Sequence, residues 1–155
     1  MKTILLLLFL FQKGVPHVGP PSISDIRTLY RQAAYKEIYC KELLRLLAPV
    51  EHDGHPLCLG YRGVANMMMA QYAGNPFTKL AYFKQGRRSL ESAIVADSDN
   101  AELRFLRLAV QEKAPAFLGY KSDIRYDRMF LSGAVHKMAD TMLKNDINAY
   151  MHKLE

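Results

Sequence analysis

Residues 59–96 read LGYRGVANMMMAQYAGNPFTKLAYFKQGRRSLESAIVA, and this stretch decides the fold class. Its first half would place apolar residues on nearly every side of a helix, which is typical of a helix at the centre of a core or lining a groove. The tripeptide Gly74-Asn75-Pro76 then interrupts the pattern. Glycine suits the position after a helix, asparagine an N-cap and proline a first helical turn. The stretch therefore predicts two helices, from about Leu59 to Ala73 and from Pro76 to Ala96.

Helical patterns continue on both sides of this pair. Upstream, apolar residues recur at spacings of three, four or seven and predict one helix over Asp25–Leu47, which Pro49 stops. Downstream, Asp99-Asn100-Ala101-Glu102 is an acidic version of a capping box and begins a helix that runs to about Lys113. Shorter helices are expected at Ser122–Leu131, Gly133–Lys144 and Asp146–Lys153.

No sustained period-two pattern indicates a strand. We therefore predict a single all-α domain over residues 22–155. It should contain about six helices, stacked as antiparallel helical hairpins.

One heptapeptide pattern occurs twice, as PLCLGYR in Pro56–Arg62 and as PAFLGYK in Pro115–Lys121. Proline prevents the preceding helix from continuing, and glycine permits a turn. We interpret the pattern as a repeated corner between helical hairpins, and a chance turn motif is the alternative.

The N-terminus has the pattern of an export signal. Lys2 supplies a positive charge, and Ile4–Phe11 is an unbroken apolar run, shorter than the roughly 20 residues that span a bilayer. No A-x-A cleavage pattern follows, so an uncleaved anchor or a mis-assigned start is the alternative. We predict that residues 1–19 are a signal peptide and linker, and that the mature chain is periplasmic or secreted.

The charge of the chain is mildly basic. It has 21 Lys and Arg against 15 Asp and Glu, a formal net charge of +6, which falls to +4 without Lys2 and Lys13. This balance does not require nucleic acid, and no nucleic-acid partner is expected. Cys40 and Cys58 can pair in an oxidising compartment, but two cysteines form no diagnostic framework, and Cys40 as a buried free thiol is the favoured alternative.

Catalytic motifs are absent from the sequence. It contains no nucleophile elbow, no recognisable pair of acid–base carboxylates and no glycine-rich phosphate loop. We therefore predict no enzymatic activity and no cofactor. The densest polar cluster is Glu51-His52-Asp53-Gly54-His55. These residue types suit zinc or copper, but a structural zinc site has two paired ligand clusters and this sequence has one. His52 and His55 are therefore weak metal candidates in what is otherwise a solvated loop.

The helix over Leu59–Ala73 also offers candidate binding residues. Met67, Met68 and Met69 are flexible and suit an irregular core or an adaptable groove, and core packing is the main expectation. Tyr61, Met68 and Tyr72 are selected as candidate binding residues, since helical hairpins commonly bind a partner on one face.

Basic residues on the next two helices are the other candidates. Lys84, Arg87 and Arg88 share one face of the Pro76–Ala96 helix and are selected as binding residues. Arg104 and Arg107 are expected to extend a basic patch onto the following helix. Such a surface is an ordinary solvated face or a contact for anions such as lipid headgroups.

Residues 86–102 resemble the junction between two tetratricopeptide repeats. Gly86, Leu90, Ala93 and Ser98 have the spacing of the second-helix signature A-x-x-x-F-x-x-A-x-x-x-x-P. Pro76 interrupts the segment where the first-helix signature would lie, so the resemblance implies a tetratricopeptide-like arrangement only in part.

The mature chain as a whole resembles a family of small, exported, uncharacterised bacterial helical proteins. The resemblance rests on Ser24–Arg27, Leu59–Tyr61, Met67–Ala70, Asn75–Phe77, Glu102–Arg107 and Phe117–Tyr120. It implies export and an all-α fold, and it transfers no functional residues because the family has no assigned activity.

We therefore expect an exported, non-enzymatic interaction module of the cell envelope. It would hold an unidentified protein or peptide against Met- and Tyr-rich helix surfaces, with the basic helix as a rim. The alternative is an unrecognised exported enzyme or metal-binding protein that uses the His52/His55 loop. Membrane-surface contact through Lys84, Arg87 and Arg88 is a weaker possibility.

Overall fold

The computed structural model describes residues 22–48 and 55–153, and within these ranges the chain is all-helical with no strand. The described residues form seven α-helices where about six were expected. They are α1 (Ile23–Ala33), α2 (Glu37–Leu47), α3 (Pro56–Tyr72), α4 (Pro76–Ala96), α5 (Ala101–Lys113), α6 (Ile124–Ala134) and α7 (Thr141–His152), with short 3₁₀ helices at Ala116–Leu118 and Val135–Lys137. None of the described helices combines the length and hydropathy of a membrane-spanning segment.

The prediction of a single helix over Asp25–Leu47 is wrong, because the helix is interrupted between α1 and α2. Lys36 has extended backbone angles, with φ −143° and ψ 131°. The break lets α2 pack against α1, with Ala33 of α1 and Cys40 of α2 both fully buried. Since these two residues lie seven apart, a continuous helix would have placed them on one face equally well.

Helix α3 is the centre of the fold and contacts α1, α2, α4 and α5. Its contact with α4 is the most extensive, because two glycines let the backbones meet. A Cβ added at Gly63 would lie 2.7 Å from the carbonyl oxygen of Gly86, and one added at Gly86 would lie 2.3 Å from that of Gly63. Only hydrogen fits at either position without moving a helix backbone.

The break at Gly74-Asn75-Pro76 is confirmed, and local capping sets this helix start and several others. Pro76 is the first residue of α4, and the Asn75 side chain accepts a hydrogen bond from the Thr78 N–H at 2.9 Å. Asn100 caps α5 in the same way. Such caps satisfy backbone N–H groups that the helix itself leaves free.

The predicted boundaries of the last helices are wrong. A helix over Gly133–Lys144 is replaced by the end of α6, a 3₁₀ turn and the start of α7. Asp140 decides this, because its carboxylate accepts a hydrogen bond from the Leu143 N–H at 3.0 Å and so begins α7.

The two copies of the heptapeptide do not form one repeated corner. Pro56 begins α3, so Gly60 lies inside a helix. In the second copy Gly119 follows the 3₁₀ turn Ala116–Leu118 with a left-handed backbone, φ 58°. The interpretation as a repeated corner is therefore wrong: the same pattern opens a helix once and ends a turn the second time.

Two apolar clusters meet at α5. The larger involves α1 to α5 and includes Leu103 and Leu106, while the smaller includes Leu108 with residues of α6 and α7. Because apolar clusters cover α5 on both sides, little of its surface is open to solvent. Its two arginines therefore have little access to water.

Candidate functional site

A half-open apolar cavity of about 570 Å³ lies where α3, α4 and α5 meet the segment that follows α5. Its wall is formed by Tyr30, Val64, Met67, Met68, Ala70, Gln71, Pro76, Lys79, Leu80, Phe83, Ala109, Val110, Lys113, Ala114, Pro115, Phe117 and Leu118. A cavity of this size with few polar groups has the usual form of a binding pocket.

The methionine triplet divides between the cavity and the core. Met67 and Met68 are both part of the wall, and Met69 is a buried residue of the large core cluster. Unbranched thioether side chains rearrange at low energetic cost, so this part of the wall can adapt to its occupant. The expectation of core packing therefore holds for Met67 and Met69, which are both buried in the large core cluster, while Met67 and Met68 also line the cavity.

Apolar side chains are also exposed at the mouth of the cavity. Phe117 belongs to the wall and is 86% exposed, and Leu80 is 39% exposed. Phe77 follows the wall residue Pro76 in sequence and is also 86% exposed, but it is not itself part of the wall. Clustered exposed apolar groups of this kind commonly mark an interaction surface.

Neither of the two predicted binding tyrosines lines the cavity. Tyr61 is buried, and its hydroxyl donates a hydrogen bond to the Glu102 carboxylate. Tyr72 is half-buried and donates to the Ala33 carbonyl oxygen at 3.3 Å, which links α3 to α1. Their roles in the structure are internal, and Met68 is the predicted binding residue on α3 that the cavity includes.

The predicted basic residues of α4 are exposed but also lie outside the cavity wall. The Arg87 guanidinium lies over the Tyr120 ring, 4.7 Å from its centroid. Lys84 and Arg88 are exposed on the same helix. The cations at the cavity are instead Lys79 of α4 and Lys113 of α5.

Arg104 and Arg107 are not a surface patch, so that expectation is wrong. They are only 8% and 5% exposed. Arg107 donates two hydrogen bonds to the fully buried Asp127, at 2.7 and 2.8 Å, and a third to Glu91 at 2.9 Å. Arg104 donates to the Ser98 carbonyl oxygen. Charge at these positions is tolerated because carboxylates from α4 and α6 neutralise it.

A second ionic network joins the first helix to the C-terminal part. Arg27 donates two hydrogen bonds to Glu102, at 2.7 and 2.6 Å, and one to Asp140 at 2.7 Å. Tyr61 donates to the same Glu102 carboxylate. One guanidinium therefore holds the first turn of α5 and the N-cap of α7 against α1.

These contacts shift several pKa values. Burial, the charge of Glu102 and the hydrogen bond to it raise the pKa of the Tyr61 hydroxyl. Burial would lower the pKa of Arg107, but the hydrogen bond and charge of Asp127 raise it above its ordinary value. The groups are held in their ordinary charge states by a satisfied network, which is the behaviour of structural ion pairs.

The metal candidates and the cysteines give no assembled site within residues 22–48 and 55–153. His52 lies outside these ranges, and His55 is an exposed residue before α3. No group of three potential metal ligands was found among the described residues. Cys40 is a free buried thiol that contacts the Ala65 carbonyl oxygen at 3.2 Å, and Cys58 is a half-buried free thiol.

Sequence reasoning missed most of the cavity because its wall comes from four separate segments. Tyr30, Met67, Lys79 and Lys113 come one from each segment, are far apart in the chain and share no motif. One usable signal was Phe117, an aromatic residue two positions after the proline that follows α5. Comparisons with family models, curated proteins and solved structures found no match, so the resemblances drawn from the sequence stay predictions.

Proposed function

We propose that this chain is an exported, non-enzymatic binding protein that holds an apolar segment of a protein or peptide partner in the cavity between α3, α4 and α5. The observation that carries the proposal is the half-open apolar cavity of about 570 Å³ with exposed phenylalanine at its mouth. Export is supported by the pattern of Lys2 and Ile4–Phe11 in the sequence.

The mouth favours a partner larger than the cavity. A ligand that only filled the cavity would leave the outer face of Phe117, which is 86% exposed, in water. A peptide or protein surface can place one side chain in the cavity and cover this ring with its neighbours. Anchors that enter a pocket, surrounded by contacts that exclude water, are the usual source of affinity at such interfaces.

The test is selection of peptides from a random library displayed on phage, with the purified chain as the target. Selected peptides are then measured against two tryptophan variants. Ala70→Trp fills the cavity from the wall, and Ala149→Trp places the same side chain on the exposed surface of α7. We expect Ala70→Trp to weaken binding by about 10-fold or more and Ala149→Trp to leave it unchanged.

A second pair of variants guards against misfolding of Ala70→Trp. Phe117→Ser removes an 86% exposed ring at the mouth, and Val95→Ser removes an 83% exposed side chain that is not part of the wall. Loss of binding in Phe117→Ser but not in Val95→Ser supports the proposal. Absence of any enriched peptide, or equal binding to all four variants, refutes it.

A further inference from the structure

The cavity has a one-sided charge. Among the residues that the structure describes, Lys79 and Lys113 are the charged residues of its wall, and no carboxylate is part of it. Both lysines are exposed, and neither has an ion pair within residues 22–48 and 55–153. A positive potential at the mouth of an otherwise apolar cavity favours a negatively charged occupant.

The nearest acidic neighbour in sequence does not neutralise this charge. Glu112 precedes Lys113, but its carboxylate accepts a hydrogen bond from Arg128 of α6 at 2.6 Å. By contrast, Arg27 and Arg107 are each matched by carboxylates from other helices. Within the described part of the chain, ion pairs neutralise the half-buried Arg27 and the buried Arg107, whereas the two lysines at the cavity have no such pair.

We infer that the partner segment is an acidic amphipathic peptide, whose apolar anchor enters the cavity while flanking carboxylates contact Lys79 and Lys113. This inference rests on the proposed function and specifies its partner. The 86% exposed ring of Phe117 favours a peptide over a free fatty acid, because a single acyl chain inside the cavity would contact only the side of the ring that forms the wall. Complementary charge at the rim mainly sets specificity and the rate of association.

The experiment compares two double charge reversals that change the net charge equally. Lys79→Glu/Lys113→Glu reverses the charge at the mouth, and Lys84→Glu/Arg88→Glu reverses two exposed charges of α4 outside the wall. The probes are the phage-selected peptides and copies in which every Asp and Glu is replaced by Asn and Gln. All four side chains are exposed, so both variants should fold.

We expect the selected peptides to be enriched in Asp and Glu around an apolar anchor. Reversal at the mouth should weaken their binding by roughly 10-fold or more, and the control reversal should change it by less than about 2-fold. The neutral copies should bind the unmodified chain more weakly than the acidic peptides do. They should bind the unmodified chain and Lys79→Glu/Lys113→Glu equally well, and their binding should not depend on salt concentration.

The outcomes separate this inference from the proposed function. Peptides that bind the cavity without a preference for acidic residues overturn the inference and leave the proposed function intact. No peptide binding at all overturns both. Lysine-dependent binding of laurate, or of vesicles containing phosphatidylglycerol, by a chain that binds no peptide shows a lipid occupant and overturns the peptide assignment.

Discussion

Tyr61 and Tyr120 occupy equivalent positions of the repeated heptapeptide, and each donates its buried hydroxyl to a glutamate that an arginine also binds. Tyr61 shares Glu102 with Arg27, and Tyr120 donates to Glu91, which Arg107 also binds. Their backbones differ, since one lies in a helix and the other follows a left-handed glycine. What the repeat preserves is the tyrosine–glutamate contact.

Removal of either hydroxyl should destabilise the fold. A hydrogen bond to a charged group contributes about 1.5–3 kcal/mol, so Tyr61→Phe and Tyr120→Phe should each lower the free energy of unfolding by roughly that amount. Urea denaturation measures the change. Tyr35→Phe, at an 85% exposed position, is the control and should stay within about 0.5 kcal/mol. An unchanged midpoint for both buried variants would show that these contacts contribute nothing.

The same tyrosines should make stability fall in alkali. Burial and the neighbouring glutamates raise the pKa of Tyr61 and Tyr120 in the folded chain, whereas an unfolded tyrosine ionises near pH 10. Their contribution is therefore complete below about pH 10 and is lost as the pH rises towards the folded pKa. The urea midpoint should be lower above about pH 10 than below it. This difference should be smaller in the double variant Tyr61→Phe/Tyr120→Phe than in the unmodified chain. Equal slopes would contradict this assignment.

Loss of the buried carboxylate of Asp127 should cost far more than loss of an exposed one. Asp127→Ala leaves Arg107 buried without its main partner and should cost about 3–5 kcal/mol of unfolding free energy. Asp146→Ala breaks the exposed pair with Arg31, where both side chains are more than 40% exposed, and should cost less than about 1 kcal/mol. Chemical denaturation of the two variants should therefore give clearly different midpoints, and similar midpoints would argue against a buried network.

Replacement of glycine by alanine should have opposite effects on stability at two positions, one in the contact between α3 and α4 and one outside it. Gly86→Ala would place a methyl group against the Gly63 carbonyl and should cost about 1–3 kcal/mol. Gly133→Ala has open space around it inside α6 and should stabilise the chain by about 0.5–1 kcal/mol. Thermal or urea unfolding tests both signs, and a stable Gly86→Ala would mean that the helices can separate at little cost.

The two thiols should differ in reactivity. Burial, with the charge of Glu37, raises the pKa of Cys40 to about 11, so at about pH 8 only about one molecule in a thousand carries the thiolate. Cys58 is half-buried, and burial raises its pKa as well. A thiol reagent should label Cys58 in the folded chain and Cys40 only in denaturant. The variant Cys58→Ser should therefore show no labelling while it is folded. Two unreactive positions in denaturant without reductant would indicate a disulfide.

Local signals in the sequence were sufficient for much of the secondary structure. Helix α4 was predicted at its observed bounds, and Asn100, the N-cap of α5, lies within the predicted capping motif. These features depend on proline, glycine and capping side chains that act within one helical turn. The break at Lys36 was missed because the apolar spacing across it fits one helix as well as two.

The sequence by itself determined an all-helical chain and the positions of its strongest breaks, because those follow from interactions between near neighbours. The tertiary structure decided which polar groups are buried and where the cavity lies. Arg107 is stable in the interior because Glu91 and Asp127 reach it from two other helices. Lys79 and Lys113 share a cavity because α4 and α5 bring them there. Such relationships depend on packing between distant segments, and short-range sequence patterns do not encode them.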